Sequence, residues 1–107
     1  LTGDYGRLGD LGAIDPKYDI AISTACGPLD NIVTDTIDTA QDCVEYLKQN
    51  NLGYTTFIAL DKMKIYEPHT KEKMSTPENV PRLFDLITVK DKNILPAFYY
   101  ALGNTLA

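Results

Sequence analysis

The 107 residues and 11.9 kDa of this chain suffice for one domain. With 44% hydrophobic, 23% charged and 9% aromatic residues, the composition excludes collagen-like, mucin-like and wholly disordered chains. A net charge of −5 excludes a wholly basic nucleic-acid module but leaves room for a local basic patch. No apolar run approaches the roughly 20 residues of a membrane-spanning helix. The opening Leu1-Thr2-Gly3-Asp4 carries neither an initiating Met nor a signal-peptide pattern, so the expectation is a piece of a longer chain.

The first element runs through Gly6-Arg7-Leu8-Gly9-Asp10-Leu11-Gly12. Its G-x-x-G-x-x-G spacing matches neither the dinucleotide fingerprint nor the phosphate loop, and predicts an irregular or bulged strand. Asp15-Pro16 then supplies a cap and a first-turn proline for a helix carrying Tyr18, Ala21, Ile22 and Ala25, which Gly27-Pro28 stops. Asn31-Ile32-Val33-Thr34 reads as a strand. A helix is expected from about 36 to 50, with Ile37, Ala40, Val44 and Leu47 as its apolar stripe, Asp38 and Gln41 at capping-box spacing, and Asn51 and Gly53 at its exit. Tyr54 to Leu60 completes a strand–helix–strand unit whose strands should be parallel with a right-handed connection.

Residues 61–82 lose all periodicity and predict an exposed excursion. Leu83 to Val89 reads as a third main strand, either internal or at a sheet edge. Asp91 or Asn93 caps a helix carrying Ile94, Leu95, Phe98, Ala101 and Leu102, with Pro96 tolerated in its first turn. Gly103 ends it, and 104–107 open another strand. Ala21-x3-Ala25-x-Gly27 is echoed by Ala97-x3-Ala101-x-Gly103, 76 residues on, so a second related unit is expected to begin where the chain stops.

The chemistry-bearing residues are few. Asp35 and Asp61 each follow a strand of the parallel unit, where receiver-like proteins bind Mg²⁺ or phosphate, but capping and turn chemistry account for both. His69 is the single histidine and lacks metal-binding or nucleophilic partners at useful spacing, so a surface position is expected. Cys26 and Cys43 fall among apolar residues, as buried thiols in a reducing compartment do. Lys62, Lys64, Lys71 and Lys73, with Lys90 and Lys92, offer a modest basic patch, and Tyr54 and Tyr66 offer stacking faces. Glu67, Glu72 and Glu78 dilute its field. Ser75-Thr76-Pro77-Glu78 fits either a phosphorylation target or a turn entry. No catalytic, cofactor-binding or metal-binding residue is assigned.

The segments Gly6 to Asp15, Lys17 to Ser23, Asp30-Asn31-Ile32-Val33, Ala40 to Leu47 and Phe57 to Met63, taken in order, resemble the hinge domain of structural maintenance of chromosomes (SMC) proteins. Thr76-Pro77-Glu78-Asn79-Val80-Pro81-Arg82-Leu83-Phe84-Asp85-Leu86 resembles most the branch of the larger condensin SMC subunit. The resemblance implies an α/β fold (α+β as the alternative), a mixed sheet with flanking helices. The first half of a hinge lies at about 5–90, and a helix and the start of the second half at about 91–107. It implies a doughnut-like heterodimer with the hinge of the other condensin SMC subunit, built by continuing sheets across the partners. The interface strand is then Leu83, Phe84, Asp85, Leu86, Ile87, Thr88 and Val89, with chromosomal DNA touched through Lys62, Lys64, Lys71 and Lys73. No cofactor is implied for this chain; ATP and Mg²⁺ belong to the head domains of the full-length family protein. A place in the nucleus and on chromosomes, with a cytoplasmic pool, is expected. The alternatives are a stand-alone α/β enzyme or receiver-like domain, and a nucleic-acid contact module.

Overall fold

The computed structural model describes residues 2–107. In chain order the strands are β1 (Asp4–Arg7), β2 (Gly12–Ala13), β3 (Ile32–Thr34), β4 (Phe57–Ala59) and β5 (Thr88–Val89). The helices are α1 (Asp19–Ala25), α2 (Ile37–Gln49), α3 (Glu67–Thr70) and α4 (Leu95–Leu102), with short 3₁₀ turns between elements. The fold is mixed α/β, as expected.

β3 and β4 are parallel, in the register Val33 opposite Ile58, and α2 crosses between them. β1 joins the other side of β3 antiparallel, giving the order β1-β3-β4. Its register shifts between Asp4 and Gly6, where Gly6 takes a φ of +93°. The single irregular strand expected through Gly6–Gly12 is instead split: Leu8–Asp10 form a 3₁₀ turn, and Gly12–Ala13 pair in a different sheet. β4 is shorter than the expected 54–60 strand: Tyr54 is fully exposed and pairing begins only at Phe57.

The cap of α2 also differs from the expectation. Thr36, not Asp38, is the cap, its hydroxyl accepting the Thr39 N–H at 3.1 Å. The buried line runs through Ala40 and Cys43 with Leu47 half-buried, while Ile37 and Val44 stay exposed. A three-stranded sheet of three- and four-residue strands is narrow, so it covers a thinner stripe than the sequence offered.

The expected strand over Leu83–Val89 is not formed along its length. Phe84–Leu86 make a 3₁₀ turn with Leu83 and Phe84 buried in the core, and only Thr88–Val89 are extended. Arg82 grips Asp85 from three residues away. In a strand those two side chains lie on opposite faces, so this pair selects a turn. β5 pairs antiparallel with β2 as a separate two-stranded sheet, Gly12 opposite Val89.

Residues 61–82 are not a structureless excursion either. Turns at Leu60–Lys62 and Lys64–Tyr66 lead into α3, and Met63 and Tyr66 pack against the core. After α4, a single antiparallel bridge joins Arg82 to Leu106, flanked by Leu83 N–H to Thr105 O and Ala107 N–H to Pro81 O, both 2.9 Å. The strand expected at 104–107 is therefore present only as this bridge.

The core is assembled from distant segments: Leu8, Val33, Ile58, Leu83, Phe84, Ile94, Ala97, Phe98 and Leu102. α4 is buried on most sides, and its Phe98 ring presses on Gly12, where a Cβ would lie 2.7 Å from the ring. Gly12→Ala is expected to cost about 1–3 kcal/mol by overpacking, in urea unfolding followed by circular dichroism. Gly27→Ala, with nothing within 4 Å of its Cβ position, is the near-neutral control.

Candidate functional site

Two regions hold the residues singled out by the sequence. The first is the seam formed by the 81–89 segment with β2 and the chain's last residues. The second is a groove beyond the C-terminal ends of β3 and β4.

Arg82 organises the seam. It is 1% exposed, and all five of its N–H donors are engaged. Nε and Nη2 donate to the two Asp85 carboxylate oxygens, both at 2.8 Å. Nη1 donates to Asn104 Oδ1 at 2.8 Å and toward Met74 Sδ at 3.5 Å, and Nη2 also reaches the Glu72 carbonyl at 3.1 Å. The guanidinium lies 5.4 Å from the centre of the Phe84 ring. Hydrogen bonding to Asp85 holds the Arg82 pKa above its ordinary value, outweighing the opposing effect of burial. One side chain thus ties together the loop after α3, the turn before β5 and the residues after α4. Sequence reasoning treated Arg82 only as the end of a loop. The signals that pointed further were an acid three residues on and an Asn beside the terminal strand.

Of the seven expected interface residues, Leu83 and Phe84 face the core and Asp85 serves Arg82. Leu86, Ile87 and Val89 are half-buried, and Thr88 is exposed. The Thr88 hydroxyl donates to the Ala13 carbonyl at 3.3 Å.

The groove encloses about 730 Å³ and brings Lys64, Lys71 and Lys92 together with Asp35, Asp61 and Glu67. Lys62 and Lys73 do not line it. The two aspartates act as caps: Asp61 accepts the Ile37 N–H at 3.1 and 3.2 Å, and Asp35 accepts the Thr36 N–H at 2.7 Å. Both therefore serve the start of α2, and the receiver-like reading gains no support from their geometry. The Thr39 hydroxyl and, after it, the Thr36 amide hold the Asp35 carboxyl below its ordinary value, against the opposing effect of desolvation.

His69 is only partly on the surface. Its ring stacks on Tyr99 at 5.0 Å with planes 5° apart, and Nδ1 lies 3.7 Å from Glu72 Oε1. Tyr99 O–H in turn donates to Asn104 Oδ1 at 3.2 Å, so the stack borders the Arg82 network. Cys26 and Cys43 are buried free thiols, and desolvation pushes both pKa values up.

The family model of the "SMC proteins Flexible Hinge Domain" matches residues 1–107. "Structural maintenance of chromosomes protein 4" of Xenopus laevis is 62% identical over 106 residues, covering 99% of this chain and 8% of that protein. The protein of the same name from Saccharomyces cerevisiae is 51% identical, covering 99% of this chain and 7% of its own length. The chain thus spans less than a tenth of these relatives. Among solved structures, the Pyrococcus furiosus SMC hinge domain superposes with a TM-score of 0.78 at 32% identity, over 98% of this chain and 54% of that one. The asymmetric dimer of the Geobacillus stearothermophilus SMC hinge domain gives 0.75 at 28% identity, over 94% of this chain and 42% of that one.

Two outcomes are expected. Arg82→Ala should lower stability by about 3 kcal/mol in urea titration, since it strips a buried network, and Arg82→Lys should recover less than half of that because an ammonium cannot fork. The depressed folded-state pKa of Asp35 means its contribution is present above its unfolded pKa and is lost as pH falls. Stability of Asp35→Asn should therefore decline less steeply than that of the parent below roughly pH 4, in thermal melts across acid pH.

Proposed function

Because the chain belongs to the SMC hinge family, we propose that it serves as the dimerisation region of a condensin SMC subunit, paired with the hinge of the other condensin SMC subunit. Its relatives carry the name of structural maintenance of chromosomes protein 4, and a hinge of the same fold was solved as a dimer. The chain corresponds to the first half of a hinge, about 5–90, with the helix and opening strand of the second half at 91–107. The 54% share of the Pyrococcus hinge supports this division.

The observation that carries the proposal is the β2–β5 pair. A two-stranded sheet of two-residue strands is marginal alone and gains by adding strands. Its outer edges present main-chain donors and acceptors to an incoming strand, the geometry of sheet continuation. Within Leu83 to Val89, the contact with the partner then falls on Leu86, Ile87, Thr88 and Val89. Leu83, Phe84 and Asp85 support it from inside.

A second contact, with chromosomal DNA, is proposed for the groove. Lys64, Lys71 and Lys92 converge there with three acids, a mixed field suited to weak, salt-sensitive phosphate contact. Lys62 and Lys73 lie outside the groove and add only diffuse charge. ATP turnover belongs to head domains elsewhere in the full-length protein, and the place of action is the chromosome in the nucleus.

Light scattering of this chain mixed with the partner hinge is expected to show little association, with one-to-one pairing restored when the second half of the hinge is added. Tight pairing by the 107 residues alone would refute the need for both halves. Ile87→Pro, just before β5, should weaken pairing of the restored hinge more than Thr70→Pro at the end of α3, with circular dichroism confirming that both variants fold. Equal weakening would move the interface away from β5.

A further inference from the structure

Thr76-Pro77 is the single Ser/Thr-Pro dipeptide in the sequence. It follows an exposed stretch of the loop after α3, Lys73, Met74 and Ser75, with Pro77 exposed and Thr76 half-buried, and 72–76 carry no helix or strand. Thr76 is extended, with φ −121° and ψ 155°, as a residue before proline prefers. Protein kinases bind their acceptors as extended segments; 72–76 already meet that need, and the short turn at Pro77–Asn79 has to open for the segment to be threaded.

The Thr76 hydroxyl also has a structural task. It donates to the Val80 carbonyl and closes a tight turn over 76–80. Within that turn Asn79 N–H bonds Thr76 O at 3.2 Å, and Val80 N–H bonds Pro77 O at 3.1 Å. Glu78 and Asn79 are both held in the left-handed region, at φ 56° and 58°, a strained pairing for residues with side chains. The turn delivers the chain directly to Pro81 and Arg82, the start of the seam.

We propose that Thr76 is the acceptor of a proline-directed Ser/Thr protein kinase, and that its phosphate unlatches the 76–80 turn. In the transfer, Thr76 Oγ forms a bond to the γ-phosphorus of ATP while the bond from that phosphorus to the bridging oxygen breaks. ADP leaves, and the hydroxyl proton passes to the kinase's base. The product ester has no proton to donate, and its dianion faces the Val80 carbonyl with Glu78 close by in the chain. Arg82 does not draw the phosphate inward, because its five donors are already engaged. The phosphate stays in solvent and the turn opens beside the seam. This inference does not depend on the pairing role proposed above.

The test incubates the folded chain with Mg·ATP and a purified proline-directed kinase and maps the product by tandem mass spectrometry. One phosphate at Thr76 is expected, with Pro77→Ala slowing incorporation by about tenfold or more as the +1 contact is lost. Modification confined to Ser75, no modification, or modification of a peptide spanning 70–82 but not of the folded chain would each overturn the acceptor assignment. Hydrogen exchange tests the second half: the Asn79 and Val80 amides should exchange faster in the phosphorylated chain. Thr76→Val, which removes the hydroxyl without adding charge, should accelerate them too. Unchanged exchange in the phosphorylated chain would overturn the unlatching.

Discussion

A single buried guanidinium fastens three separate segments of this fold to one another. Arg82 sits where the loop after α3, the turn before β5 and the residues following α4 converge, and it supplies each of them with a hydrogen bond. Its partners are two main-chain or amide oxygens, one thioether and one carboxylate that remains half in water. That last point matters energetically. Asp85 keeps much of its hydration, so the pair carries less desolvation cost than a fully buried ion pair, while Arg82 gains complete satisfaction of its donors. The Phe84 ring beside the guanidinium then lets a charge sit at the edge of an apolar core.

Around this anchor the molecule divides into a local part and a composite part. The local part is the parallel unit β3-α2-β4, whose helix start is held by three nearby acceptors: Thr36, Asp35 and Asp61. The composite part is the layer of α1, α4, β2 and β5, where Gly12 admits the Phe98 ring and Val89 lies opposite Gly12. The proposed partner contact belongs to the composite layer, whereas the proposed DNA groove spans both parts, its aspartates following β3 and β4 and its lysines lying around α3 and before α4.

What could be read from the sequence follows the same division. The parallel unit, the proline-started helices and the αβ class were legible because neighbours in sequence determine them, whereas the glycine-rich stretch through 6–12 is divided between two sheets by contacts with distant strands. The capping of α2 by Asp61 was not, since it joins residues 24 apart. The 83–89 segment was misread for a related reason. Its run of apolar residues suits a strand, yet a side chain just before the run turns back on Asp85 and imposes a 3₁₀ turn. The lysine-rich stretch appeared patternless because its order comes from short turns and from aromatic contacts, Tyr66 with Tyr99 and Tyr100 and His69 with Tyr99, rather than from periodicity. The family resemblance was visible from ordered motifs and is matched by sequence identity across nearly the whole chain.

The pairing of Gly12 with Val89 also has a kinetic meaning. The strand pairs of the parallel unit and the Arg82–Leu106 bridge each close loops of about two dozen residues, whereas the Gly12–Val89 pair draws together parts of the chain about three times as far apart. Loop-closure entropy rises with the length enclosed, so the parallel unit can form while the composite layer is still open. During that interval the β5 edge has no intramolecular neighbour. Its neighbour β2 lies far upstream, so the strand proposed to meet a partner acquires its own only after that long loop closes, later than the strands of the parallel unit do.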